Sequence, residues 1–261
     1  MRHFKAIVEY DGTDFCGFQW QKGKRSVQSV LEAALAKRME EECKVAGAGR
    51  TDSGVHALGQ VIGFSSSTRI PLERMALALN STLPLDVTVR RVEEVSPAFH
   101  VRFSASSRVY GYLILNRRMP SALWRRYSGF CPVELNVEAM QVAANSLLGE
   151  RDFAAFANDL LPKEPTMRDM MVCRVRPYRE FVIVRVEANA FLRGMVRNIV
   201  GTLMDVGMGK REPDSLGELL ATRDRRMAGA TAPPQGLCLL QVRYGERKIY
   251  PRQQERRETE P

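Results

Sequence analysis

The chain has 261 residues, enough for one large domain or two modest ones, and its 44% hydrophobic content is that of an ordinary globular protein. Thirty-nine basic against 30 acidic residues leave a net charge of +9 and a pI of about 9.6, which favours a polyanionic partner. Five scattered cysteines without a C-x-x-C pair argue against a disulfide framework or a zinc site; with no run of about 18 apolar residues and no apolar leader, a reduced, cytoplasmic protein without a membrane span is expected.

Residues 4–10 alternate apolar and polar side chains and stop at Asp11-Gly12, which predicts a strand entering a turn. Val27, Val30, Leu31, Ala34 and Leu35 then recur at helical spacing behind Ser26, the expected cap. Residues 47–59 read G-A-G-R-T-D-S-G-V-H-A-L-G and set the carboxylate of Asp52 among an arginine and glycines at 47, 49 and 54. Glycines there permit φ > 0 and close approach to another molecule, so the segment reads as a contact surface and Asp52 as a candidate reagent. The plain alternative is a turn or helix cap, the side chain accepting from the amides of Gly54 or Val55. A dinucleotide fingerprint starting at Gly47 needs glycine where Asp52 stands, and Gly207-Met208-Gly209-Lys210 has Met204 in place of the first P-loop glycine. No nucleotide cofactor is expected. Residues 60–64 then read as a strand, 71–80 as a helix opened by proline, and 87–95 as a strand.

The second half repeats this grammar without visible sequence identity. A strand over 109–115 precedes a helix over 137–148, capped by Asn136 and closed by Gly149. Strands over 170–176 and 181–186, a helix over 192–206, a short one over 216–221 and a strand over 237–244 complete it. Mixed hairpin and helical connections, twice over, predict an α+β fold of two halves sharing a continuous antiparallel sheet, with the site in the cleft between them. The halves are expected at 1–105 and 106–245, and the charged tail 246–261 is expected to be disordered. Residues 117–127 gather Arg117, Arg118, Arg125 and Arg126 around Trp124 and Tyr127, a set that pairs with phosphates and stacks bases, unless it is a solvated loop with one buried tryptophan.

Two positions ask to be read with Asp52. Arg197 lies among Leu192, Met195, Val196, Ile199, Val200 and Leu203, a stripe so wide that the charge needs a partner inside the protein. The carboxylate of the glycine-rich loop satisfies that need as well as a purely structural ion pair does. Tyr110 shares a strand face with Tyr112 and Ile114, where a core role is the commoner explanation.

The motifs then converge. Tyr10-Asp11-Gly12-Thr13 with Phe15, Gly17, Gln19 and Gln21, followed by the run from Gly49 to Ala57, resembles the tRNA pseudouridine synthases that modify the anticodon stem-loop. The likeness continues in Ala78-Leu79-Asn80 with Leu83-Pro84, Phe99-His100 with residues 102–105, Arg108-x-Tyr110-x-Tyr112, residues 195–201 and Pro233-Pro234-x-Gly236-Leu237. The resemblance implies two RRM-like, ferredoxin-like halves. It also implies Asp52 as the catalytic aspartate, Tyr110 stacking on the target base, Arg197 paired with Asp52, and Arg50 displacing the target nucleotide. Thr51, Gly54, His56, Arg108, Tyr112 and Gln19 are carried over as substrate-binding positions, and Arg125 and Arg126 join them from the basic loop. Many relatives carry arginine where this chain has Gly111, which bears on how the strand meets RNA phosphates. A homodimer with tRNA touching both subunits is likewise implied.

Uridine becomes pseudouridine when the N1–C1′ bond breaks and the ring rejoins through C5, without net redox change or energy input, so neither cofactor nor metal is expected. One ionised carboxylate begins the reaction, by attack at C1′, addition to C6 or removal of the C2′ proton. The nucleotide must first be flipped out of its stem. A non-catalytic RNA-binding or chaperone module is the competing class, but it has no use for an arginine-paired carboxylate. A glycoside hydrolase would want a second acid, and none is evident near Asp52.

Overall fold

The computed structural model describes residues 1–245, and the tail 246–261 lies outside the described residues. β1 (Arg2–Tyr10) buries Phe4, Ala6, Val8 and Tyr10, the inward set that alternation dictates. α1 (Val27–Met39) starts at Ser26, whose hydroxyl accepts from the Ser29 amide while the Ser29 hydroxyl accepts from the Ser26 amide. This reciprocal cap fixes the helix start where the sequence places it. β2 (Ala46–Gly47), β3 (His56–Ser66), α2 (Leu72–Asn80) and β4 (Val87–Glu94) complete the first half. The second half runs β5 (Ala105–Asn116), β6 (Gly129–Cys131), α3 (Val137–Asn145), β7 (Gly149–Asp152), β8 (Met167–Tyr178) and β9 (Phe181–Ala188). α4 (Met195–Gly207), α5 (Ser215–Thr222) and β10 (Leu237–Tyr244) follow.

The expected elements are present, with shifted ends. α3 stops at Asn145 and loosens into turns through Leu148, so Gly149, at φ 83°, opens a strand where a helix stop was expected. α4 begins three residues late because Gly194, at φ 72°, caps it in the left-handed region. β2, β6 and β7 span 2, 3 and 4 residues, too short to carry a hydrophobic period.

The strands form one 10-stranded sheet in the order β4-β1-β3-β10-β5-β9-β8-β7, with β2 on β3 and β6 on β5. It is antiparallel except at β5/β6 and at the joint between the halves. There β10 enters between β3 and β5, parallel to β3 through Cys238↔His56 and Leu239↔Ala57 and antiparallel to β5. The buried side chains of both halves form a single cluster, from Phe4 to Val242.

The segment ahead of β10 lies directly on α4. A Cβ added at Gly201 of α4 would stand 1.7 Å from the Ala230 carbonyl oxygen, so only glycine admits this approach. Gly217 of α5, by contrast, faces open space. Gly201→Ala is therefore expected to cost about 2 kcal/mol or more by forced displacement of backbone. Gly217→Ala should stabilise by about 0.5–1 kcal/mol through helix propensity. Urea denaturation midpoints of the two variants check the pair, and equal shifts would contradict the packing.

Candidate active site

The loop carrying Asp52 is built from both sides. Its amides and carbonyls are tied to the segment after β1: Phe18 N–H donates to the Thr51 carbonyl at 3.0 Å, and Gly54 N–H and the Ser53 hydroxyl donate to the Phe15 carbonyl at 3.3 and 3.1 Å. Of the three glycines expected to supply positive φ, Gly54 alone does so, at 77°. Gly47 instead makes room for the Phe18 ring, which a Cβ would approach to 2.5 Å. The turn closes through the main chain, Val55 N–H donating to the Asp52 carbonyl at 3.2 Å. The carboxylate is thus not spent as a cap.

It meets Arg197 instead. Nη1 of Arg197 donates to Oδ2 of Asp52 at 3.3 Å, joining α4 to the loop before β3. The guanidinium does not present a two-point fork to the carboxylate: its Nε donates to the Ala232 carbonyl at 2.7 Å, while Ala232 N–H donates back to the Arg197 carbonyl at 3.1 Å. The arginine is therefore anchored by the segment before β10 and reaches the aspartate with one N–H. Its side chain is 18% exposed and that of Asp52 34%, so the pair is largely sheltered while the carboxylate stays reachable.

Tyr110 of β5 is 7% exposed and packs edge-on against Phe191, with ring centroids 5.2 Å apart. Burial first, then the fields of Tyr10 and Asp52, push its hydroxyl pKa up, so it remains a neutral phenol near the carboxylate. Gly111 lies on the opposite face of β5, its Cβ position against the Leu240 side chain, so the missing arginine there does not alter the face that carries Tyr110.

Four residues carried over as substrate contacts have internal partners. Thr51, 6% exposed, shares a 2.8 Å hydrogen bond with the Tyr10 hydroxyl, whose pKa burial pushes up to about 12. Arg108 is buried and donates to the carbonyls of Ala48, Arg102, Ala105 and Asn189, so one cation laces the Asp52 loop to the second half. Burial lowers its pKa. Tyr112 donates to the Pro233 carbonyl at 2.9 Å, and its ring lies where a side chain on Gly129 or Gly236 would be. His56 accepts from Gly12 N–H at Nδ1 (3.0 Å), and its Nε2 faces the Arg126 carbonyl at 2.8 Å, a pairing only an Nε2–H satisfies. The polar atoms of these four are engaged inside the protein, where they hold the segments around Asp52. Gln19, half-buried, donates to Gln28. Arg50 and Arg125 are exposed.

The basic loop is docked, and its aromatics are not buried. Trp124 and Tyr127 are exposed, with Trp124 edge-on to Phe181. Tyr127 donates to Oδ2 of Asp11 at 2.8 Å and lies over His56, ring centroids 5.3 Å apart, while Arg126 offers its carbonyl to His56. Arg117 is used locally, on Glu180 and the Met119 and Pro120 carbonyls. The roles of Asp11 and the Ala232 carbonyl were not visible in the sequence: the first reads as an ordinary turn residue, and the second is main chain. A cavity of about 480 Å³ lined by Ala154, Ala157, Asn158, Asp159, Leu160, Arg223 and Arg225 includes no residue of the Asp52 loop. Among the described residues no cluster of His, Cys, Asp and Glu is suited to a metal ion, and no helix is long and apolar enough to cross a membrane.

A family model described as tRNA pseudouridine synthase matches residues 6–104 and 143–245. The tRNA pseudouridine synthase A of Thermoanaerobacter sp. (strain X514) is 44% identical over 244 residues, covering 94% of this chain and 100% of that protein. That of Methylococcus capsulatus is 46% identical, covering 92% and 88%. That of Pseudothermotoga lettingae is 44% identical, covering 94% and 100%.

The docked loop yields a titration. Burial raises the Asp11 carboxyl, but hydrogen bonds from Thr13 and Tyr127 outweigh it and leave the group below its ordinary range. A depressed folded value means that this stabilisation is present above the ordinary carboxylate range and lost as pH falls through the folded one. Tyr127→Phe should move the Asp11 titration upward, read from its side-chain carboxyl NMR shift against pH; an unmoved midpoint would contradict the docking.

Proposed function

The chain belongs to the tRNA pseudouridine synthase family and is an isomerase acting on uridine in tRNA, and on that footing we propose that Asp52 is the carboxylate that opens the reaction. The observation that carries this reading is the 3.3 Å pairing of Asp52 with Arg197 at the joint of the sheet. The arginine uses Oδ2 alone, which leaves Oδ1 to meet the nucleotide. During turnover the N1–C1′ bond breaks, the C5–C1′ bond forms, C5 loses its proton and N1 gains one. Attack at C1′, addition to C6 and removal of the C2′ proton all start from this ionised, aimed group.

Tyr110 supplies the face on which the freed ring stacks and turns. Because its hydroxyl is held neutral, any part in removing the C5 proton requires that another base accept the phenolic one, and Asp52 is the carboxylate whose field bears on it. Arg50, exposed two residues before Asp52, enters the stem in place of the flipped nucleotide, offsetting a few kcal/mol of lost stacking and pairing. The target is the anticodon stem-loop, in keeping with the motif set around Asp52. Arg125 and Arg126, on a loop latched beside His56, meet phosphates and fix register without reading sequence. Residues 1–105 and 106–245 act as the two halves of a cleft, and the working enzyme is a cytoplasmic homodimer in which one tRNA touches both subunits.

Asp52→Asn should abolish tritium release from tRNA labelled at uridine C5. Its tRNA affinity should stay within about tenfold, roughly 1.4 kcal/mol; turnover near wild type would refute the assignment. Arg197→Lys keeps the charge but cannot hold the Ala232 carbonyl and Asp52 together, so single-turnover rates should fall roughly 10- to 100-fold in folded protein. A folded variant that turns over at full rate would make the arginine purely structural.

A further inference from the structure

Arg225 begins the short 3-10 turn Arg225–Met227, outside the Asp52 site. All of its N–H groups are engaged inside the protein. Nε donates to Oδ1 of Asn158 at 3.3 Å, Nη1 to the carbonyls of Ala228 and Gly229 at 3.4 and 3.0 Å, and Nη2 to Oδ1 of Asn198 and the Thr231 hydroxyl, both at 2.9 Å. A guanidinium has five N–H donors and here they meet five neutral acceptors, so none is left for a phosphate. Burial pushes its pKa down. Such a group is a cross-link.

What it cross-links is informative. Asn198 follows Arg197 on α4, and its amide also donates to Asn158 and to the Phe156 carbonyl. Ala228, Gly229 and Thr231 belong to the segment that ends at Ala232, the residue whose carbonyl holds Nε of Arg197. That segment is tied to α4 at three further points: Gly229 N–H to the Thr202 hydroxyl (2.9 Å), the Thr231 hydroxyl to Asn198 (2.7 Å) and Ala232 N–H to the Arg197 carbonyl (3.1 Å). We propose that Arg225 is a positioning residue for the reaction, fixing residues 228–232 so that the Ala232 carbonyl aims the Arg197 guanidinium at Asp52. The contact to Asp52 is already long at 3.3 Å. A displacement of Ala232 by about 1 Å would break it, and misplacement of that size costs on the order of 100-fold in rate. The inference rests on the reading of Arg197 and Asp52 as the catalytic pair.

The test uses the full-length enzyme and tRNA labelled at uridine C5, with Arg225→Lys, Arg197→Lys and the double variant. Arg225→Lys should lower the single-turnover rate of folded protein by about 10- to 100-fold while tRNA Kd and its salt dependence stay unchanged. If it acts through Arg197, the double variant should be no more than about threefold slower than Arg197→Lys alone. Losses that multiply, or a full rate in folded Arg225→Lys, overturn the proposal. A salt slope reduced by about one would instead make Arg225 a phosphate contact and overturn it as well. Should Arg225→Lys fail to fold, Thr231→Val removes one acceptor of the clamp and its bond to Asn198, and the same cycle with Arg197→Lys applies. A full rate in Arg197→Lys itself would remove the catalytic pair and this proposal together, whereas a slow Arg197→Lys beside a full-rate Arg225→Lys defeats this proposal alone.

Discussion

A positive charge half-buried on an apolar helix is the constraint from which the site is built. Arg197 sits on α4 among side chains that are almost entirely covered, where an unpaired cation is costly. The chain meets that cost with one carbonyl and one carboxylate, each delivered by a different segment: Ala232 from before β10 and Asp52 from before β3. Satisfying the arginine therefore also brings the Asp52 loop to the joint of the sheet.

The same economy recurs around it. Arg108 reaches carbonyls on both sides of the joint, Tyr112 holds Pro233, and His56 holds the basic loop by the Arg126 carbonyl. Polar side chains in this region bind main-chain atoms more than one another. Main-chain acceptors fix backbone position directly, so the geometry at Asp52 depends on side chains that need never touch a substrate.

Much of this was legible in the chain itself. Ser26 marked a helix start to the residue, alternation in β1 gave its faces, and the apolar stripe about Arg197 implied a partner for the charge. Asp52 stood out because a carboxylate among glycines has little to do in a core. What sequence could not carry was long-range placement. Nothing local says that β10 enters between β3 and β5 in parallel with one of them, that His56 is sealed by a carbonyl 70 residues away, or that the arginine's second anchor is the main chain of Ala232. Gly47 shows the other limit: the sequence announces a glycine but not whether it serves torsional freedom or room for a ring, here that of Phe18.

The central seat of β10 also orders events in time. Its pairing with β3 joins residues about 180 positions apart in sequence, Cys238 with His56, a contact of high closure entropy that forms late. During synthesis the first half can build its own hairpins while the edge of β3 that will receive β10 stays unpaired, an edge open to other strands. The segment that anchors Arg197 arrives immediately before β10, so the pairing of Arg197 with both the Ala232 carbonyl and Asp52 forms only as the last described strand docks. The stage most exposed to misassembly therefore ends as this long-range contact closes.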